Sequence, residues 1–354
     1  MKIPFLPALA VCFALGLFAS NLAAAPPLEN HAILISCDGL RPDAVEKLGE
    51  ERLPNLFRMI KEGVSTKNAR TDKTQTVTLP NHTSMVTGRP VAGAAGHNWT
   101  SNGTPKLGEM LHRKKKQYVR SMFGVAHDHG MRTALFSSKT KFLLYDRSYD
   151  ERNGKPDTIG EDNGKDKLDV FVFEEDIEKL MPRYLEAMKA TPFQLSMLHL
   201  RDTDTAGHAS GWDLTDGAPY MKAVVRIDGV LGQLMELIDS DDRFKGKTSI
   251  ILTADHGGRM ETKTHLKADS PYNYTIPFVV WGPTTKKGGD LYALNAASRK
   301  DPGTENPAYD SEGLAPIRNG DAGNLALSLL DLPAIGGSSI NAKQDLKVAE
   351  QVSE

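Results

Sequence analysis

Three short apolar runs in this 354-residue chain end in the same way. His31–Cys37 (HAILISC) runs into Asp38-Gly39, Phe193–Leu200 (FQLSMLHL) into Arg201-Asp202-Thr203-Asp204, and Thr248–Thr253 (TSIILT) into Ala254-Asp255-His256-Gly257. Apolar runs of this length, closed by turn residues, fit strands buried on both faces. Amphipathic stretches lie between them, so strands alternate with helices. The predicted architecture is α/β: a doubly wound, mixed or mostly parallel sheet flanked by helices, with surface insertions. Such sheets build their sites at the carboxyl ends of the strands. The pattern therefore predicts Asp38, Asp204 and Asp255 along one edge.

The remaining periodicities predict strands over 132–137 and 276–281 and helices over 53–61, 79–87, 118–129, 174–189, 221–237 and 324–332. Segments near 140–170 and 284–319 are rich in turn-forming and charged residues and read as insertions. No repeat or low-complexity tract interrupts the chain, which reads as one catalytic domain over 26–354 behind a secretory signal at 1–25. The signal rests on Lys2, the apolar run 5–18 and the small residues Ala23-Ala24-Ala25. The alternative is an uncleaved anchor, but the run is short for a hydrocarbon layer of ~30 Å. An exported protein without a stable membrane anchor, periplasmic or secreted, is expected. Removal of the signal leaves Cys37 alone, so no internal disulfide can form. A net charge of −2 argues against a nucleic-acid partner. The sequence leaves the oligomeric state open.

Histidines give the aspartates a chemical meaning. Asp204-Thr-Ala-Gly-His208 sets a carboxylate and an imidazole one helical turn apart, Asp255-His256 is an adjacent pair, and His265 follows on the same loop. This mixed nitrogen and oxygen set suits zinc, and less specifically manganese or iron. It is large enough for two divalent ions, which could clamp the attacking and leaving oxygens of a phosphoryl transfer. Thr78, in "TVTLPNH", stands just before a predicted helix. It is either an N-cap or a nucleophile activated by a neighbouring ion and by the helix N-terminus.

The stretches Asp38-Gly-Leu-Arg, Thr78-Leu-Pro-Asn-His with Thr87-Gly88, Asp204-Thr-Ala-Gly-His208 and Asp255-His256-Gly257 together resemble the alkaline phosphatase superfamily, in its type I phosphodiesterase/nucleotide pyrophosphatase branch. The resemblance spans roughly 31–283 and implies the alkaline-phosphatase-like fold. It implies one ion held by Asp38, Asp255, His256 and Thr78, and a second held by Asp204, His208 and His265. It places a phosphate-binding asparagine at about Asn98, in "GHNW". The chain departs from the nucleotide pyrophosphatases in that His265 follows the Asp-His pair closely. It departs from the related sulfatases in that Cys37-Asp-Gly-Leu-Arg lacks their proline. The implied activity is hydrolysis of phosphodiester or pyrophosphate bonds in a small-molecule ester, through a phosphothreonine on Thr78. Alternatives are a phosphomonoesterase with the same metals, a phosphotransferase, and a non-catalytic binding protein.

Several other residues invite a role. His82 and His97 read as supporting residues, Cys37 as a buried small hydrophobe, and Arg113-Lys114-Lys115-Lys116 as a solvated helix end. Trp99 is either core or a stacking surface for a base. Lys139, in "SSKTKF", leads Lys141 as a candidate phosphate ligand; ordinary loop lysines would leave diesters favoured. Asn81-His-Thr and Asn98-Trp-Thr fit the glycosylation pattern but fall in the predicted site, which favours a bacterial source.

Overall fold

The computed structural model describes residues 29–350; the expected signal and its cleavage site lie outside them. An eight-stranded sheet has the order β4-β3-β5-β1-β6-β7-β2-β8. Its strands are β1 His31–Cys37, β2 Val64–Arg70, β3 Thr133–Ser137, β4 Val170–Phe173, β5 Leu195–Leu200, β6 Thr248–Thr253, β7 Thr275–Trp281 and β8 Gly289–Asp290. The five from β4 to β6 run parallel; β7 is antiparallel to both β6 and β2. All residues of β1, β5 and β6 are buried, as expected of strands covered on both faces.

Helices cover the two faces. Pro54–Glu62, Ile177–Ala190 and Pro219–Ser240 form one layer; Thr78–Thr87, Met122–Asp128 and Asp321–Ser328 form the other. Asp321–Ser328 begins with a wholly buried turn and packs against β1, which places its layer directly behind the central strand.

Register sets the site. Cys37 lies opposite Leu200, Ser36 opposite Thr253, and Ser137 opposite His199. The residues that follow, Asp38, Arg201, Ala254 and Ser138, therefore leave the sheet at one level. Gly39 turns the chain there with φ +72°, a left-handed conformation that side chains disfavour. A Cβ at this glycine would lie 3.2 Å from the Asp204 backbone, so the turn also permits two site loops to touch.

Three strands escaped the sequence reading; one, the two-residue β8, lies in the stretch 284–319 read as an insertion. β2 (VSTKNAR) has few apolar residues and draws its order from pairing with β7 and β8. β4 sits at the end of the stretch read as an insertion, and Thr140–Phe142 and Leu143–Ser148 within that stretch are helical. The loop between them is pinned from inside. Buried Lys167 donates to Asp157 and to the Gly164 carbonyl at 2.8 Å, with Asp128 at 3.6 Å and His127 at 3.1 Å. Lys167→Met would strand buried Asp157 without its cation. A loss of about 3 kcal/mol or more is expected in urea unfolding; an unchanged midpoint would show that the loop does not depend on this lysine.

Candidate active site

Thr78 begins the helix Thr78–Thr87, but Val77 is its N-cap and no side chain at that position caps it. Thr78 is thus not the cap that the sequence left open. The side chain that satisfies the first turn comes from elsewhere: Asn102 Oδ1 accepts the Leu79 N–H at 2.9 Å. The Thr78 hydroxyl lies instead 3.5 Å from Lys139 Nζ, the ammonium that also meets Asp38 and Asp204.

Around this hydroxyl the strand ends deliver their acids. Asp38, Asp255 and His256 form one buried group whose ligand atoms lie within 4.8 Å of one another; Asp204, His256 and His265 form a second. His208 joins the second group from the rim, 46% exposed, with Nε2 3.3 Å from Asp204 Oδ1 and 3.2 Å from His265 Nε2. Every predicted metal ligand is therefore in one cluster, with His256 between the two halves.

The donor atoms are prepared for a cation. His208 Nδ1 donates to the Lys263 carbonyl at 2.8 Å, His256 Nδ1 to the Gly257 carbonyl at 2.8 Å, and His265 Nδ1 to the Thr76 carbonyl. Each bond occupies Nδ1 and turns Nε2 inward as the nitrogen left to ligate, the usual support of a ligating histidine. Asp38 Oδ1, Asp204 Oδ1, Asp255 Oδ2 and His256 Nε2 are buried without any hydrogen-bond partner. Buried polar atoms are otherwise almost always paired. Four such atoms converging on one place fit divalent metal.

Electrostatics agree with this fit. Burial, with Asp38 alongside, raises the Asp255 carboxyl to about 7. Burial lowers the His256 imidazole, but Asp255 and Asp38 outweigh it and hold it at about 9. Burial, with His256 stacked at 3.5 Å, lowers His265 to about 3. Asp255 and His256 thus keep protons that a cation would replace, while burial of Asp38 and Asp204 is outweighed by Lys139 and the imidazoles, which hold both carboxylates below their ordinary range.

Lys139 supplies the positive charge among the described residues. Its Nζ bridges Asp38 Oδ2 and Asp204 Oδ2 at 2.6 Å each. Burial works against its charge, but the two carboxylates outweigh that and raise its pKa.

Residues 32–322 match the model of the type I phosphodiesterase/nucleotide pyrophosphatase family. The chain belongs to this family. It is 28% identical over 228 residues to human ectonucleotide pyrophosphatase/phosphodiesterase family member 1, covering 64% of this chain and 23% of that protein. It is 26% identical over 273 residues to human GPI ethanolamine phosphate transferase 1, covering 74% of this chain and 27% of that one. The chain thus spans about a quarter of these relatives. Murine ectonucleotide pyrophosphatase/phosphodiesterase 5, solved as an inactive variant with AMP, superposes with a TM-score of 0.57 at 15% identity, covering 90% of this chain and 99% of that one. It shares the fold.

Within this family member the sequence reading missed two neighbours of the cluster. His199 donates from Nε2 to Asp38 Oδ2 at 2.8 Å; its signal was a lone histidine inside an apolar strand. Asn102 is the other. Asn98 has left-handed backbone (φ 61°) and its N–H on the Val91 carbonyl, while its side chain makes no hydrogen bond to the cluster. The asparagine side chain at the start of the Thr78 helix is that of Asn102, which also accepts from Lys141 Nζ at 3.2 Å.

The supporting residues stand where the sequence put them. His82 donates to the Thr78 carbonyl at 2.7 Å and accepts from Ser36 at 2.8 Å. His97 accepts the Trp99 N–H. Trp99 is buried with its indole N–H on the Ser101 carbonyl, so it is core and not a stacking surface. Cys37 is buried, and burial raises its thiol. Asn81 is fully buried and bonded to the Gln75 and Val77 carbonyls, which leaves no room for a glycan.

Proposed function

We propose that the protein is an exported, metal-dependent phosphoesterase in which Thr78 attacks phosphorus. The observation that carries this reading is the convergence of four unpartnered buried ligand atoms beside a threonine hydroxyl that caps nothing. Asp38, Asp255 and His256 would hold one divalent ion and Asp204, His208 and His265 a second, with zinc suited to the donor set. Ions there would lower the pKa of the threonine hydroxyl and spread the charge of the transferring phosphoryl group.

The chain's own groups do the rest. Thr78 Oγ forms the new P–O bond in line with the departing ester oxygen, giving phosphothreonine and a free alcohol or phosphate. Water then attacks phosphorus and returns the hydroxyl to Thr78. Lys139 and the free Nδ2 of Asn102 would orient the non-bridging oxygens. His82 steadies the backbone of the nucleophile through the Thr78 carbonyl.

Two observations bear on the ester. The family and the human pyrophosphatase/phosphodiesterase favour the diester or pyrophosphate bond expected from the sequence. The site adds Lys139 beside Thr78 and Lys141 beside Asn102. Two cations at the phosphoryl end favour a group with about one more negative charge, a phosphate monoester. We take the monoester as the reading of this site. In a comparison of kcat/KM for mono- and diesters with one leaving group, wild type should prefer the monoester. Lys141→Ala, the lysine that makes no contact with a metal ligand, should cut that preference about tenfold, ~1.4 kcal/mol. Diester preference in wild type, untouched by the substitution, would return the assignment to the diesterases. Similarity to a GPI ethanolamine phosphate transferase adds a further outcome, capture of the phosphorus-bearing group by an alcohol in place of water.

A further inference from the structure

One stretch beside the site takes no part in this chemistry. Residues 106–120 contain Lys106, Arg113, Lys114, Lys115, Lys116 and Arg120 against the single carboxylate Glu109. Arg120 has Asp128 at 3.5 Å. The side chains of the other five have no carboxylate partner among the described residues; those of Arg113 and Lys115 donate only to the Gly108 and Ala94 carbonyls, at 3.0 and 2.7 Å. Amid these charges Leu107 is 96% exposed. Leu107 is the most exposed large apolar side chain among the described residues, and it stands amid these cations. The chain carries a net charge of only −2, so this concentration of cations is local.

The patch is tied to the site. Arg147, on the helix that follows Lys139 and Lys141, holds the Pro105 carbonyl at 2.8 Å, and Thr104 Oγ1 meets Thr140 Oγ1 at 3.2 Å. Leu107 lies five residues beyond Asn102, hence within ~18 Å of it along the chain. Whatever binds this face lies near the site's mouth.

We propose that this face docks the protein on an anionic lipid bilayer. Leu107 enters the interface while the unpaired lysines and arginine meet headgroup phosphates, the two contributions that together hold a protein at such a surface. A nucleic acid would use the cations but give the leucine nothing. The patch also lacks an exposed ring for base stacking, since Tyr118 is half-buried beneath Lys155. The inference does not depend on which ester the site cleaves.

The test is cosedimentation of the full chain with phosphatidylcholine vesicles, with and without phosphatidylglycerol. Binding is expected only with the anionic lipid and should be lost in high salt. The combined Arg113→Glu, Lys114→Glu and Lys116→Glu variant should bind at least about tenfold more weakly. Leu107→Asp should also bind more weakly. Both should keep the wild-type circular dichroism spectrum and rate on a soluble ester. Equal binding to neutral vesicles, no binding to anionic ones, or undiminished binding by the charge-reversed variant would overturn the proposal. So would tighter binding of a single-stranded oligonucleotide than of the anionic vesicles.

Discussion

Thr78→Ala should lower turnover by roughly 10³-fold or more, ~4 kcal/mol in the barrier, with metal content retained. The substitution removes the attacking oxygen and little else. Thr78 Oγ1 caps no helix, and its one hydrogen-bond partner among the described residues, Lys139 at 3.5 Å, keeps Asp38 and Asp204 at 2.6 Å. Stability should therefore fall by less than ~1 kcal/mol. Thr78→Ser keeps a hydroxyl at the same place and should recover part of the rate. The pair of variants separates two roles: a structural threonine would show the loss in unfolding curves, whereas a nucleophile shows it in turnover. Wild-type turnover in the alanine variant would exclude the nucleophilic role.

Metal removal should have an effect as large on rate and a visible one on stability. Without cations, Asp38, Asp204 and Asp255 share the charge of Lys139 and the proton of His256. In that state Asp255 carries a pKa raised from 3.8 to about 7, so the folded chain keeps a proton that the unfolded chain releases. Stability of the metal-free protein from this group then declines as pH rises through that window. Zinc must displace the Asp255 and His256 protons, which leave at about 7 and about 9. Metal binding at neutral pH should release protons, and affinity should fall as pH is lowered. Calorimetric titration in buffers of different ionisation enthalpy measures the release. Pairing it with melting curves at pH 6 and 8 tests the linkage; metal should raise the melting temperature more at the higher pH. Activity that survives chelation, with no proton release on zinc addition, would contradict a metal-dependent site.

The fold class and the convergence of the aspartates were legible in the sequence, whereas the outer strands were not. Asp38, Asp204 and Asp255 were legible because each ends an apolar run, and parallel pairing of β5, β1 and β6 forces such ends to one level. His265 was legible because it shares a loop with His256. β2 was not, since a strand made of Val64, Ser65, Thr66, Lys67, Asn68, Ala69 and Arg70 owes its state to partners distant in sequence. Asn102 was missed for a related reason. Asn98 and Asn102 lie four residues apart in irregular loop, where no periodicity tells which side chain reaches the helix. Lys139 was visible as a loop lysine near a strand end, but its two carboxylate partners lie 101 and 65 residues away.

On this mechanism phosphorus passes through Thr78 on its way to water. The stereochemical course at phosphorus tests it directly, with a substrate made chiral by oxygen isotopes and turned over by the metal-loaded protein. Two in-line displacements, one at Thr78 and one by water, predict net retention of configuration. Inversion would show a single displacement by water and would contradict the phosphothreonine intermediate.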